Sequence, residues 1–547
     1  MSRQRWWGWG TDGHDGPLPE AGEALLAEEL GLGTERTVLP ALEELELPPS
    51  TLTDGARAKL EEIVGAGWVR DDHEARVLHS AGRSYPDLLA LRSGELSHAP
   101  DAIVSPADHA EVLAVLGACA DLDLAVIPFG GGTSVVGGVA PLAGEHGGAI
   151  CLDLARLTGL LELDRRSGLA RFGAGTFGPD AESELAAHGL TLGHHPQSFE
   201  FSTVGGWVAT RSAGQGSTGY GRIDELVQGV RMAAPGGEVT TGSGPASAAG
   251  PDLRELLVGS EGTLGVLTEA TLRVRPAPGA TRYEALALPG FAAAVEALRG
   301  LAQAGAAATV TRLSDEEETR VNLAMSGSPR AAAALRAYLR ARGLSQPCLL
   351  ILGWEGATDA ALRARREAGH RVLRDHAAIS LGEKPGEAWA HSRFHGPYLR
   401  DELMSRRMLV DTLETAATWT DLLATYRAVG AALRSSLASR GTPALVGCHV
   451  SHLYPTGASL YFTFLARQEE GAELEQWQAT KRAAGDALAA AGATITHHHA
   501  VGSDHAPWLP GEIGELGVDL LRAAKRTLDP TGIMNPGKLI DAAPLPS

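Results

Sequence analysis

Three consecutive histidines, His497, His498 and His499, lie between Thr496 and Ala500. Imidazole changes charge near neutral pH, so this run can ligate a metal, hold phosphate or move protons. On extended or turning backbone, neighbouring side chains point to opposite sides, so at most two of the three can address one site. A solvated polar loop is the plainer reading of the same residues. Tyr461 lies in Ser459-Leu-Tyr-Phe-Thr-Phe464, where it alternates with Ser459 and Thr463 and presents its phenol to one side of a strand. It is either a half-buried core tyrosine or a proton-transfer group. With an ordinary pKa near ~10, a phenol acts as a base at neutral pH only beside a cation or an imidazole. The histidine run could supply that neighbour.

Such groups need a partner molecule and a frame. Pro128-Phe-Gly-Gly-Gly-Thr-Ser-Val-Val-Gly-Gly138 follows the apolar run Leu124-Ala-Val-Ile127, which reads as a buried strand. Glycine forfeits side-chain contacts, so this density does not serve core packing. It lets main-chain N–H groups approach an anion, the nest geometry that holds a phosphate or pyrophosphate, with Thr133 and Ser134 adding hydroxyls. A Rossmann fingerprint would open a helix within a βαβ unit, whereas here the glycines run on to another apolar strand, Ala149–Leu154. Two further blocks, Ser202-Thr-Val-Gly-Gly-Trp-Val-Ala-Thr210 and Gly259-Ser-Glu-Gly-Thr-Leu-Gly-Val-Leu-Thr-Glu269, favour a flavin dinucleotide approached from several sides.

The chain has 547 residues, enough for more than one core, and 44% of them are hydrophobic. A formal charge of −19 argues against nucleic acid as a partner. No stretch has the uninterrupted apolar length of a membrane span, and Arg3 and Arg5 lead into Trp-Gly-Trp where a secretory signal would be apolar. Trp6, Trp7 and Trp9 leave peripheral membrane contact open beside simple packing. Cys119, Cys151, Cys348 and Cys448 are widely spaced in apolar contexts, which reads as buried thiols in a reducing cytoplasm. The punctuation divides the chain into a helical N-terminal region (1–97), a cradle-bearing domain (98–277), an α+β substrate domain (278–500) and a C-terminal helical segment (501–547).

The three glycine blocks resemble the FAD-binding domain of the vanillyl-alcohol-oxidase superfamily, in the branch of type 4 FAD-binding oxidoreductases and transferases. Within it the chain is most similar to the alkyldihydroxyacetonephosphate synthases, the flavoenzymes of ether-lipid synthesis. The likeness runs from Arg5-Trp-Trp-Gly-Trp9 to the C-terminal helix and is densest over Gly193-His-His-Pro-Gln-Ser-Phe-Glu-Phe-Ser-Thr-Val-Gly-Gly206. It implies an α+β fold: a PCMH-type FAD-binding domain plus an α+β cap, flanked by helical terminal segments. The implied cofactor is FAD, held by Pro128, Gly130, Gly131, Gly132, Thr133, Ser134, Ser202, Thr203, Gly205, Gly206, Ser260, Glu261, Gly262, Gly265 and Val266. No histidine or cysteine interrupts Gly130–Gly138, so the flavin is expected to be non-covalent.

The same resemblance assigns roles. The related hydroxy-acid dehydrogenases carry Glu-His-Gly-x-Gly where this chain has its histidine run, and the synthases carry His-His-His, with glycine where Ala500 stands. Those dehydrogenases also build a metal site on His-x-Gly-Asp-Gly-Asn-x-His. Here His449-Val-Ser-His452 lacks the Asp and Asn, so no metal is expected. Tyr461 matches the synthases' catalytic tyrosine, His194 a family active-site histidine, and His195 replaces a family glutamate. Arg400 resembles the arginine that grips the substrate phosphate, a bidentate task suited to guanidinium. Arg312 matches a second arginine, although an arginine near Asp315 also suits an ion pair. The implied reaction exchanges the acyl group of acyl-dihydroxyacetone phosphate for a fatty alcohol through a flavin N5 adduct, in a homodimer. An FAD-dependent oxidoreductase acting on a 2-hydroxy acid or glycerol phosphate is the alternative, since Ile533-Met-Asn-Pro-Gly-Lys538 is shared with that group.

Overall fold

The computed structural model describes residues 4–11, 18–242, 244–326 and 329–540. Parallel strands buried on both faces are unbroken apolar runs, and Ala102–Val104, Leu124–Phe129 and Gly148–Asp153 follow that rule. All three align in parallel in a four-stranded sheet. Helix His109–Leu122 makes the crossover between the first two; Asp108 caps it by accepting from the Glu111 amide at 2.9 Å. A five-stranded antiparallel sheet follows, in the order Leu160–Asp164, Leu169–Gly173, Val266–Arg273, Val227–Ala234, Gly237–Thr240.

The second half builds a seven-stranded antiparallel sheet. Its order is Ile379–Gly382, Ala280–Pro289, Pro347–Gly356, Val310–Ser314, Ala444–Val450, Gly457–Arg467, Met408–Thr418. Strand Gly457–Arg467 shows why its register is fixed. Leu460, Phe462 and Phe464 are fully buried on the core face, each contributing roughly 1.5–3 kcal/mol. A one-residue slip would turn them onto the cavity face, where Tyr461, Thr463 and Leu465 now stand.

Residues 1–97 do not form a separate helical unit. Val69–Arg70 adds a strand to the four-stranded sheet, pairing with Ile103 and Val104, because a lone two-residue strand is stable only on an existing edge. The C-terminal segment crosses back to the cradle, with Met534 bridging Val126 and Lys525 Nζ donating to the Thr263 carbonyl at 3.0 Å. Its last residues, 541–547, lie outside the described residues. Among the described residues no helix is long and apolar enough to cross a membrane.

Candidate active site

The glycine blocks interlock. A Cβ on Gly131 would lie 1.7 Å from the Phe201 carbonyl oxygen, one on Gly130 2.4 Å from Thr203 Oγ1, and one on Gly262 2.9 Å from Pro128 Cγ. The glycines therefore let three loops meet at backbone distance. Together the loops wall one end of a cavity of about 510 Å³. Among the described residues, the main-chain N–H groups of Gly131, Gly132 and Thr133 donate to no protein acceptor. Unpaired amides on consecutive residues of such a turn suit a diphosphate. Two of the expected cofactor residues fall outside this wall. Val266 packs in the core with Val126 and Ala174, because its strand position faces inward. Ser260 is buried behind the cavity, its hydroxyl without a partner. Glu261 reaches the wall, but its carboxylate accepts the amides of Val501 (2.8 Å) and Gly502 (2.7 Å), tying the histidine loop to the cradle. Burial raises its pKa to about 7.

The other end of the cavity is built on three strands in register. Tyr461 stands between Glu414 and His449, Thr463 between Thr412 and Gly447, and Leu465 between Val410 and Leu445. Successive rows are two residues apart, so the face passes from ionisable to apolar over roughly 13 Å. Helix Glu316–Ala324 repeats the gradient along one side, placing Glu318 by the first row and Val321 beyond it.

Glu414, absent from the sequence-based candidates, organises the first row. It is wholly buried and accepts from Thr496 Oγ1 (2.6 Å) and the amides of His497 (2.6 Å), His498 (3.0 Å) and His499 (2.9 Å). Burial works against its charge, yet the adjoining imidazoles, His498 foremost, hold the carboxyl well below the usual glutamate range. The histidine run therefore wraps a carboxylate and does not alternate as a strand would. His498 and His499 line the cavity. His497 does not: its Nε2 meets the Tyr454 hydroxyl at 2.6 Å and its carbonyl accepts from Arg222. It braces the loop.

Tyr461 is held ring to ring. His449 stacks on it at 4.7 Å between centroids, His498 at 5.9 Å, and His499 meets it edge-on at 5.4 Å. Burial pushes the phenol up to about 12, so at neutral pH it carries its proton. His449 Nδ1 lies 2.9 Å from Glu318 Oε1; Arg312 Nη2 donates to Glu318 Oε1 at 2.8 Å and lies 3.1 Å from His449 Nδ1. Arg312 lines the cavity, but this Nη2 is committed to the brace behind Tyr461. Burial opposes the charge of Glu318; His449 and then Arg312 outweigh it and hold the carboxyl near about 2.

His194 lies apart from this group. It does not line the cavity; it is buried edge-on against Trp207, with Nε2 3.2 Å from Ser212 Oγ. Gly193 adopts φ +70° over the Tyr220 ring and turns the following side chain inward. His195 lies tilted against the Phe199 ring, 4.8 Å between centroids. Arg400 does reach the cavity. Its Nη1 donates to the Arg83 carbonyl at 2.8 Å, while buried Nε and Nη2 have no hydrogen-bond partner. Those two nitrogens form one edge of the guanidinium, the edge that takes an oxyanion in bidentate fashion.

Burial holds His194 and His499 near about 3 and His505 near about 4. Unfolded, each titrates near ~6.5. Because the folded value is the lower one, their contribution to stability is complete above pH ~6.5 and lost as pH falls from there. The thermal midpoint is expected to decline from pH 7 to pH 5, less steeply than these rings alone would give because Glu261, with its raised pKa, adds stability over the same window; a midpoint that rises across it would contradict neutral buried rings.

Residues 100–243 match the FAD binding domain family, and residues 277–539 match the family described as FAD linked oxidases, C-terminal domain. The alkyldihydroxyacetonephosphate synthase of Dictyostelium discoideum is 35% identical over 501 residues, covering 90% of this chain and 82% of the relative. The chain belongs to the alkyldihydroxyacetonephosphate synthase family. The Trypanosoma brucei brucei synthase is 33% identical over 541 residues, covering 97% of this chain and 87% of that one. A solved alkyldihydroxyacetonephosphate synthase structure superposes with a TM-score of 0.84 at 30% identity, covering 97% of this chain and 98% of that one. The cofactor is FAD, which the open amides of the family's cradle fit.

Proposed function

We propose that the protein exchanges the acyl group of acyl-dihydroxyacetone phosphate for a fatty alcohol. One observation carries this reading: a single cavity joins the dinucleotide cradle, Arg400, Tyr461 and an apolar limb walled by Val321, Val410, Leu445 and Leu465. A 2-hydroxy acid needs no such limb. In the exchange the bond from C1 to the acyl oxygen breaks, a bond from C1 to the alcohol oxygen forms, and carboxylate and a proton are released. Bound FAD supplies an electron sink at that carbon, with no net redox change. Arg400 holds the phosphate, Tyr461 moves the proton at C1, and the apolar rows take the chain and exclude water. His449 and His498 keep the phenol ring in place.

The motif shared with the dehydrogenases carries structure here. Asn535 Nδ2 donates to the Gly138 and Glu261 carbonyls at 3.1 and 2.7 Å, fixing cradle to C-terminus. Purified holoenzyme given acyl-dihydroxyacetone phosphate and long-chain alcohols is expected to yield ether product by mass spectrometry. Its flavin should not bleach under anaerobic glycolate or lactate. Bleaching without ether product would establish the oxidoreductase instead. We further hold the flavin to be non-covalent: acid precipitation should leave yellow supernatant, and a yellow pellet would refute it. A cytoplasmic location is supported by four buried cysteines with no disulfide.

A further inference from the structure

The run Arg5-Trp-Trp-Gly-Trp9 has no part in the chemistry above, yet the fold brings it to the reaction chamber. Arg5 N–H donates to the Gly10 carbonyl at 2.8 Å, closing a loop on itself. That loop lies flush on helix Gly396–Ser405, which carries Arg400. Gly8 makes the contact possible, since a Cβ there would stand 2.4 Å from Asp401 Oδ2. Gly10 does the same with φ +76°, its missing Cβ only 2.3 Å from the Tyr398 ring. Tyr398 and Asp401 are three residues apart on one face of the helix, so the loop is seated on the face next to Arg400.

One hydrogen-bond route runs from the loop to Arg400 and another to its helix neighbour Asp401. The Trp9 amide donates to Asp401 Oδ2 at 2.5 Å. The Arg5 carbonyl accepts from Arg83 Nη2 at 3.0 Å, and the Arg83 carbonyl accepts Arg400 Nη1 at 2.8 Å. Trp7 lies between the guanidiniums of Arg5 and Arg92, at 4.8 and 5.2 Å, and Arg92 donates to the Asp401 carbonyl at 3.2 Å. Trp9 itself is 3% exposed, lines the cavity, and meets Phe201 edge-on at 5.4 Å, on the segment against which Gly131 packs.

We propose that residues 5–10 are a strap that positions Arg400, so that its Nε–Nη2 edge faces the substrate phosphate. They are positioning residues, acting through the helix; the strap also closes the cavity wall between cradle and cap. The proposal rests on the reading of Arg400 as the phosphate grip. An oxyanion held by two fixed donors loses affinity when the fork tilts, because both bonds depend on one plane.

The test uses flavin-loaded full-length protein and inorganic phosphate as probe, by titration calorimetry, alongside ether-forming kinetics. Gly8→Ala drives a methyl group into the Asp401 carboxylate. It is expected to weaken phosphate binding and raise KM for acyl-dihydroxyacetone phosphate by about tenfold, the equivalent of one charge-assisted bond. Flavin content and kcat should change less than twofold. Arg400→Met should lower phosphate affinity by more, and adding Gly8→Ala to it should cost nothing further, since the pair acts as a unit. Should Gly8→Ala fail to fold, Asp401→Asn removes the charge facing the strap amide and is expected to show the same KM-specific change. Wild-type phosphate affinity in the folded variant, or additive losses with Arg400→Met, would overturn the strap. Phosphate binding through Arg400 with no ether product would instead refute the synthase reading and leave the strap standing.

Discussion

Tyr461→Phe is expected to lower ether formation by about a hundred- to ten-thousand-fold, the usual contribution of a positioned proton-transfer group. The substitution deletes one oxygen. The ring stays, and with it the stacking of His449 and His498 and the strand register set by Phe462 and Phe464. Flavin content and melting temperature should therefore match wild type, which separates lost chemistry from lost structure. Product is counted by mass spectrometry at saturating alcohol. Turnover within threefold of wild type would remove Tyr461 from the reaction. Because burial keeps the phenol protonated at neutral pH, activity should rise toward alkaline pH in wild type and show no such limb in the variant.

Glu414→Ala is expected to destabilise the folded protein by about 3–5 kcal/mol, the range for removing one partner from a buried charged network. Four donors converge on this carboxylate, and alanine would leave the amides of residues 497 to 499 facing an apolar void. His498 and His499 would lose the frame that presents them to Tyr461, so activity should fall with stability. Glu414→Gln keeps an acceptor oxygen but turns an NH2 toward N–H donors, and should lie between the two. Urea unfolding of all three proteins measures this; a loss below about 1 kcal/mol in Glu414→Ala would show that the loop holds its own shape.

What could be read from the chain was local. The apolar strand before the glycines, the period-two pattern around Tyr461 and the amphipathic C-terminal helix each carry their signal within a dozen residues, and each is present. The organising charges were not readable that way. Glu414 sits more than eighty positions from the histidines that enclose it, and one clue marks it: Asp411 and Glu414 put charge into a strand otherwise made of apolar residues and threonines. Trp9 and Asp401 are 392 residues apart, and no periodicity links them. The alternation expected of His497 to His499 fails because backbone amides, not side chains, dictate that turn. His194 is matched by motif alone, and its neighbourhood of Trp207 and Ser212 turns it into the interior.

The graded sheet face has a consequence for how such a catalyst can diversify. Positions 410, 445 and 465 form a rung two steps removed from the one that carries Tyr461. Val410, Leu445 and Leu465 pack in one buried cluster with Leu403 of the helix that carries Arg400, so a bulkier or slimmer side chain there also bears on that helix. On the proposed function, tail size and the seating of Arg400 are therefore coupled traits, joined through one packed cluster.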